Sequence, residues 1–236
     1  MKNNIFIFIL LISVNLTGAE FKTDTISIYS EILSENRTIL LFTPQDIKKS
    51  DSVSIIYLTD GEFSRYRFKQ IDTISTKKIV GVGIINTDRR RDLLPVNQAN
   101  KFCDFIEKEL YLTIEKKFIV KERILFGHSF AGAFTIYSMI NRPAQFNKYI
   151  ASSPTPIMNL IDPEFYKQLN DKLPYEIKLY VSYGSNDMKQ VIKWGAKLID
   201  NLTNIRIDKI QWTSEVFEGQ NHNTSARFSI VNGLNF

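Results

Sequence analysis

Short apolar runs alternate with longer amphipathic stretches along this chain, and the two patterns predict two kinds of element. Thr38–Phe42 and Val53–Leu58, rich in Ile, Leu, Val and Tyr, read as strands. Ile79–Ile85 is a near-continuous apolar run, as expected of a strand buried on both faces. From Ala99 to Lys117 the apolar positions recur at helical spacing, which puts Phe102, Phe105, Ile106, Leu110 and Ile114 on one face. A strand at Arg123–Phe126 and an apolar helix at Ala131–Asn141 come next. Tyr149–Ala151, Ile177–Tyr183 and Lys209–Phe217 complete the strands, with a helix at Lys189–Leu202 between the last two. Such alternation implies βαβ units and a mostly parallel sheet covered by helices on both faces, an α/β fold. No linker-like stretch divides it, so residues 20–236 are expected to form one domain.

The first 19 residues follow a different pattern. Lys2 supplies positive charge, Ile5 to Val14 is apolar apart from Ser13, and Thr17-Gly18-Ala19 places small residues at the −3 and −1 positions. That is the layout of a signal peptide, too short to span a bilayer as a helix. Cleavage is expected near Ala19–Glu20, releasing a periplasmic or secreted protein with no stable membrane insertion. No Cys follows the apolar run, so no lipid anchor is expected.

Charge and cysteine content narrow the function classes. The chain carries +5, and the part after Ala19 carries +4 because only Lys2 is lost. The basic residues come as scattered pairs and one triplet (Lys48-Lys49, Lys77-Lys78, Arg89-Arg90-Arg91, Lys116-Lys117) rather than as one block, so no nucleic-acid partner is expected. Cys103 is alone, which precludes an intrachain disulfide, and it falls on the predicted helix as a small buried hydrophobe. With one Cys and two His, no metal site is expected. Gly81-Val82-Gly83 lies inside a strand run and lacks the third glycine of a dinucleotide loop, and no GxxxxGK[ST] occurs, so no cofactor is expected.

One segment carries strong chemistry. A strand runs straight into Gly127-His128-Ser129-Phe130-Ala131-Gly132 and then into a helix, the context of a nucleophile elbow. Small residues are needed two before and two after the serine, and Gly127 and Ala131 stand there. The turn exposes the Ser129 hydroxyl at the sheet edge and aims the Phe130 N–H at a developing oxyanion. A serine needs a base, and the chain has two histidines. His128 precedes the serine and should diverge from it. His222 lies in the polar segment after the final strand and is the candidate base, completing the order Ser, acid, His. Asp187, the first acid past the preceding strand, is the candidate orienting carboxylate. Glu218 is its rival, and a Ser–His pair without an acid stays open.

With these residues in view, the sequence resembles the esterase family of α/β-hydrolases that holds esterase D, enterochelin-type siderophore esterases, feruloyl esterases and mycolyltransferases. The likeness runs over roughly residues 38 to 225 and rests on four motifs besides the elbow. Ile56-Tyr57-Leu58-Thr59-Asp60-Gly61-Glu62 is like the family's strand ending in an Asp-Gly pair. Val80 to Pro95, with Asp88-Arg89-Arg90-Arg91-Asp92, is like its strand and D-R-x-R-D-x-x-P loop. Phe105 to Leu110 is like the helix that follows, and Ala151-Ser152-Ser153-Pro154 like its Ser-Pro stretch. The resemblance implies an α/β-hydrolase fold, ester hydrolysis through an acyl-enzyme, and a second oxyanion amide from Glu62. The length of residues 20–236 is expected to leave no room for a separate lid domain.

Substrate is where the chain departs, because Thr155-Pro156-Ile157-Met158 stands where the family often shows bulky aromatics. A small-molecule ester is implied, siderophore-type and anionic if Arg90 and Arg91 face the site. Structural pairing of the arginines with Asp88 and Asp92 is the competing reading. Two alternatives to a hydrolase remain: an acyltransferase on the same fold, and a non-catalytic ligand-binding homologue.

Overall fold

The structure, a computed structural model, describes residues 21–72, 78–205 and 207–236, so the expected signal segment lies outside it. Eight strands form one sheet: β1 (Phe21–Ser30), β2 (Glu35–Pro44), β3 (Ser52–Thr59), β4 (Ile79–Ile84), β5 (Ile119–His128), β6 (Lys148–Ser152), β7 (Ile177–Gly184) and β8 (Ile210–Phe217). Their spatial order is β1-β2-β4-β3-β5-β6-β7-β8. β1 pairs antiparallel with β2, and β2 with β4; every other pairing is parallel. The mostly parallel α/β-hydrolase sheet is therefore present, with β1 as a strand the hydrophobic pattern did not predict.

Successive side chains of β3 explain the helices on both faces. Ile55 and Tyr57 join one core with Val82, Phe102, Phe134 and Leu198, whereas Ile56 and Leu58 join the other with Phe68, Ile150 and Ile230. The first face is covered by α3 (Ala99–Phe105), α4 (Tyr111–Ile114), α5 (Phe130–Asn141) and α8 (Lys189–Asn204), with the short α6 (Pro163–Lys167) and α7 (Leu169–Lys172) leading to α8. The second face carries α1 (Ser64–Asp72) and α9 (His222–Asn235). The stretch predicted as one helix is helical over the whole of Ala99–Lys117, with a π-helical turn at Ile106–Leu110 and a 3-10 turn at Glu115–Lys117. Cys103 is buried there, and burial pushes its thiol up to about 12, so it behaves as an inert apolar group.

The loop after β4 is pinned from beneath. Arg37 on β2 and Asp92 on α2 (Arg89–Leu93) form an ion pair at 2.6 Å with both side chains fully buried. Glu35 and Thr87 also contact the Arg37 guanidinium, and the rings of Phe102 and Phe105 flank it. A buried pair of this kind holds one geometry because either charge alone would be strongly disfavoured.

Candidate active site

Ser129 sits between β5 and α5 with φ 61° and ψ −119°, a conformation open to a non-glycine residue only when its surroundings enforce it. The enforcement is local. The Ser129 N–H donates to the Ser152 carbonyl at 3.0 Å, and the Ser129 carbonyl accepts from Ala133 and Thr155 N–H groups at 3.0 Å each. A side chain on Gly127 would overlap the Ala131 carbonyl, which is why glycine is required there, while Ala131 itself fits. The elbow read from the sequence is formed.

The three side chains expected to cooperate meet at the carboxyl edge of the sheet. The Ser129 hydroxyl lies 3.0 Å from His222 Nε2, and His222 Nδ1 lies 2.8 Å from Asp187 Oδ1. Glu218 is not the partner of His222. An Asp carboxylate on Nδ1 fixes the tautomer that leaves Nε2 free to accept from the serine hydroxyl. His222 is the first residue of α9 rather than part of a loop, because Asn221 caps that helix by accepting from the Asn223 and Thr224 N–H groups.

Asp187 is fully buried in its side chain and well supplied with donors. Its Oδ1 also accepts from the Met188 N–H at 2.7 Å, and its Oδ2 from the Ser153 hydroxyl at 2.6 Å. Ser153, itself at φ 42°, continues to Ser225 at 2.8 Å. A parallel line runs from His128 Nδ1 to Ser152 at 3.2 Å, on to Ser229 at 2.8 Å and to Ser182 at 2.7 Å. All five serines are buried, so the layer between the sheet and α9 is held by hydroxyls as well as by apolar contact. Ser153 could be found only as part of the Ser-Pro stretch; nothing in the sequence marked it as the partner of Asp187. Thr155 was likewise missed, and its hydroxyl lies 3.4 Å from that of Ser129.

His128 does diverge from Ser129 and packs against the other histidine, with ring centroids 4.7 Å apart. Burial first, then the nearby Arg67 charge, lowers its pKa to about 3, so it is neutral at any ordinary pH.

The other expected residues fall around the same edge. Glu62 follows β3, whose Leu58 pairs with Phe126 on β5, so its backbone lies one strand from the elbow. Its side chain is turned away to accept from Asn86, and Gly61 leaves room for the β4 backbone, 2.5 Å from where a Cβ would be. Arg89 makes a two-pronged pair with Asp60 at 2.6 and 2.8 Å and lies over the Phe130 ring. Arg91 binds Glu35 and Asp92, and it holds the Glu35 carboxyl down at about 2. The Arg91 guanidinium is thus engaged by carboxylates, as in the competing reading of structural pairing. Asp88 serves instead as the cap of α2. Arg90 alone of the triplet is exposed without an ion pair among the described residues, 5.8 Å from the Phe130 ring centroid. No group of three or more His, Cys, Asp or Glu among the described residues could hold a metal, and no described helix is long and apolar enough to cross a membrane.

Sheet order, elbow and site position together define an α/β-hydrolase. The chain belongs to the family described as Putative esterase, whose sequence model matches residues 30–225. It is 30% identical over 114 residues to the siderophore triacetylfusarinine C esterase of Aspergillus fumigatus, covering 44% of this chain and 38% of that protein. Matches to curated relatives thus span well under two thirds of their length. Among solved structures, the BES protein from Bacillus cereus superposes with a TM-score of 0.78 at 22% identity, covering 99% of this chain and 98% of that one. An IroE-like serine hydrolase from Shewanella oneidensis gives 0.77 at 22% identity, covering 90% and 79%. At these identities the two structures share the fold.

Proposed function

We propose that the protein is an exported serine esterase that cleaves carboxylic esters through an acyl-enzyme. The observation that carries this reading is the unbroken line from Ser129 Oγ through His222 to Asp187, at 3.0 and 2.8 Å, on a strained elbow. Ser129 Oγ attacks the ester carbonyl while His222 Nε2 takes its proton. The oxyanion is met by the Phe130 and Glu62 N–H groups. As the carbonyl re-forms, the C–O bond to the alcohol breaks and the alcohol leaves with the proton from His222. Water, deprotonated by the same nitrogen, then releases the acid and restores the Ser129 hydroxyl.

For the substrate we infer a small siderophore-type ester. The Aspergillus relative is named for such an ester, and exposed Arg90 beside Phe130 offers a charge to an anionic one. The signal-like segment at residues 1–19 supports the export in this reading. Reaction with a fluorophosphonate followed by peptide mass spectrometry tests the mechanism. A single adduct on Ser129, absent in Ser129→Ala, is the expected result, and a wild-type protein that stays unlabelled while hydrolysing no ester would end the proposal. Product analysis with added alcohols separates hydrolysis from acyl transfer.

A further inference from the structure

Between α1 and the first turn of α9 lies a cavity of about 330 Å3 that does not include Ser129. Phe63, Tyr66 and Arg67 line it from α1 and the turn before it, Thr224 and Arg227 from α9, and His128 lies against it too. Among the described residues no acidic side chain is part of its lining.

Arg67 is what this cavity offers a ligand. The residue is only 6% exposed, yet burial lowers its pKa no further than about 10, so it remains charged at neutral pH. Among the described residues its polar contact is one long hydrogen bond, Nη1 to the Thr59 carbonyl at 3.5 Å. The rings of Phe63 and Phe126 lie 5.5 and 4.9 Å from its Cζ and accept none of its donors in the ordinary sense. Asp60, the acid whose charge acts on it most, is already gripped by both prongs of Arg89. No Arg67 nitrogen is a buried orphan among the described residues, so its remaining N–H groups open on the cavity, where an anionic acceptor can reach them.

We propose that this cavity binds a small aromatic carboxylate, whose oxygens take the donors of Arg67 and whose ring packs against Phe63 and Tyr66. The planar guanidinium matches a carboxylate in geometry and charge. Arg227 and the positive end of α9 add to the field, while Phe63 and Tyr66, at 59% and 61% exposure, supply apolar walls awaiting cover. The volume is near the lower end of small-molecule sites, roughly 300–1,000 Å3, which suits one ring rather than a large ligand. The site goes beyond ester hydrolysis, since it excludes Ser129 and would fill whether or not Ser129 reacts.

Benzoate is the probe, added to the whole protein and followed by calorimetry and by the imidazole NMR signals of the chain's two histidines. Saturable binding that moves the His128 signals is expected, with the same affinity in Ser129→Ala. Arg67→Met should weaken it by at least about tenfold, and uncharged benzamide should bind at least about tenfold more weakly than benzoate. Because Arg67→Met can fail to fold, Arg227→Gln on the exposed side of the cavity provides a second variant, expected to weaken binding about threefold. Absence of saturation at millimolar benzoate, equal binding of benzamide, or loss of binding in Ser129→Ala would each overturn the site. Failure of the esterase reading would leave these outcomes unchanged.

Discussion

His128 and His222 lie ring to ring, and their surroundings assign them opposite tasks. His222 has a carboxylate on Nδ1 and a serine on Nε2, the two contacts a general base requires. His128 is buried beside a cation and is bonded to a serine hydroxyl that leads away from the nucleophile. His222→Ala should therefore lower kcat by roughly 10,000-fold with the fold retained by circular dichroism, whereas His128→Gln should keep measurable turnover. If the His128 variant is dead and a folded His222 variant runs at the wild-type rate, the assignment of the base is wrong.

The same burial makes His128 an acid liability. Arg67, His222 and Arg89 oppose its protonation and Asp187 favours it, with burial the largest cause and the balance a pKa near 3 against an ordinary 6.5. The unfolded chain binds this proton and the native one does not, so stability is intact above about pH 6.5 and falls as the pH drops toward 3. The slope from this group is about 1.4 kcal/mol per pH unit. Urea midpoints measured from pH 7 to pH 4 should fall less steeply in His128→Gln than in the wild type. Parallel curves would show that the native protein already admits the proton.

At the scale of elements, the strands and helices that the pattern predicted are those with continuous apolar runs or a one-sided apolar face. β1 was not legible because it is an edge strand of alternating Thr, Ser and Ile whose side chains are mostly half-buried or exposed. α9 was missed for a different reason. Its buried side includes Ser225, Ala226, Ser229 and Gly233, small residues that let the helix approach the sheet and bond through hydroxyls, and these leave little hydrophobic signature. The elbow and His222 were readable because strand, turn and helix follow in unbroken order. The fate of the arginines was not readable, since Glu35, which engages Arg91, is 56 positions away in sequence. Pinning of that loop by Arg37 and Asp92 has a measurable consequence. Asp92→Ala takes from the Arg37 guanidinium its one fully buried carboxylate, leaving Glu35 and Thr87, and should destabilise the protein by about 3 kcal/mol, seen as a fall in Tm. A Tm change within error would mean that water or Glu35 replaces the lost carboxylate.

For the whole molecule, net charge bears on how substrates arrive. With Arg89 and Arg91 held by carboxylates, exposed Arg90 is the member of the triplet that, under the proposed function, would steer an anionic ester toward Ser129. Steering acts on association and is screened by salt. For an anionic ester, kcat/KM should drop as salt is raised from about 0.01 to 0.15 M, over which the screening length shrinks from roughly 30 to 8 Å. A neutral ester of similar size should hardly respond, and Arg90→Gln should shrink the difference. Equal salt dependence for both esters would remove the basis for an anionic substrate.

The sheet's strand order also dictates when the site comes into being during synthesis. From β5 onward the strands lie side by side in the order in which they are made, β5-β6-β7-β8, each adding to the edge left by the last. Ser129 emerges with the elbow, Asp187 only two strands later, and His222 only once β8 has been passed and α9 begins. A chain still being translated, or one threading through a membrane unfolded, thus carries its serine without a base and is chemically idle. Reactivity would switch on with the docking of the final helix, so the appearance of serine labelling during refolding reports completion of the native state rather than its nucleation.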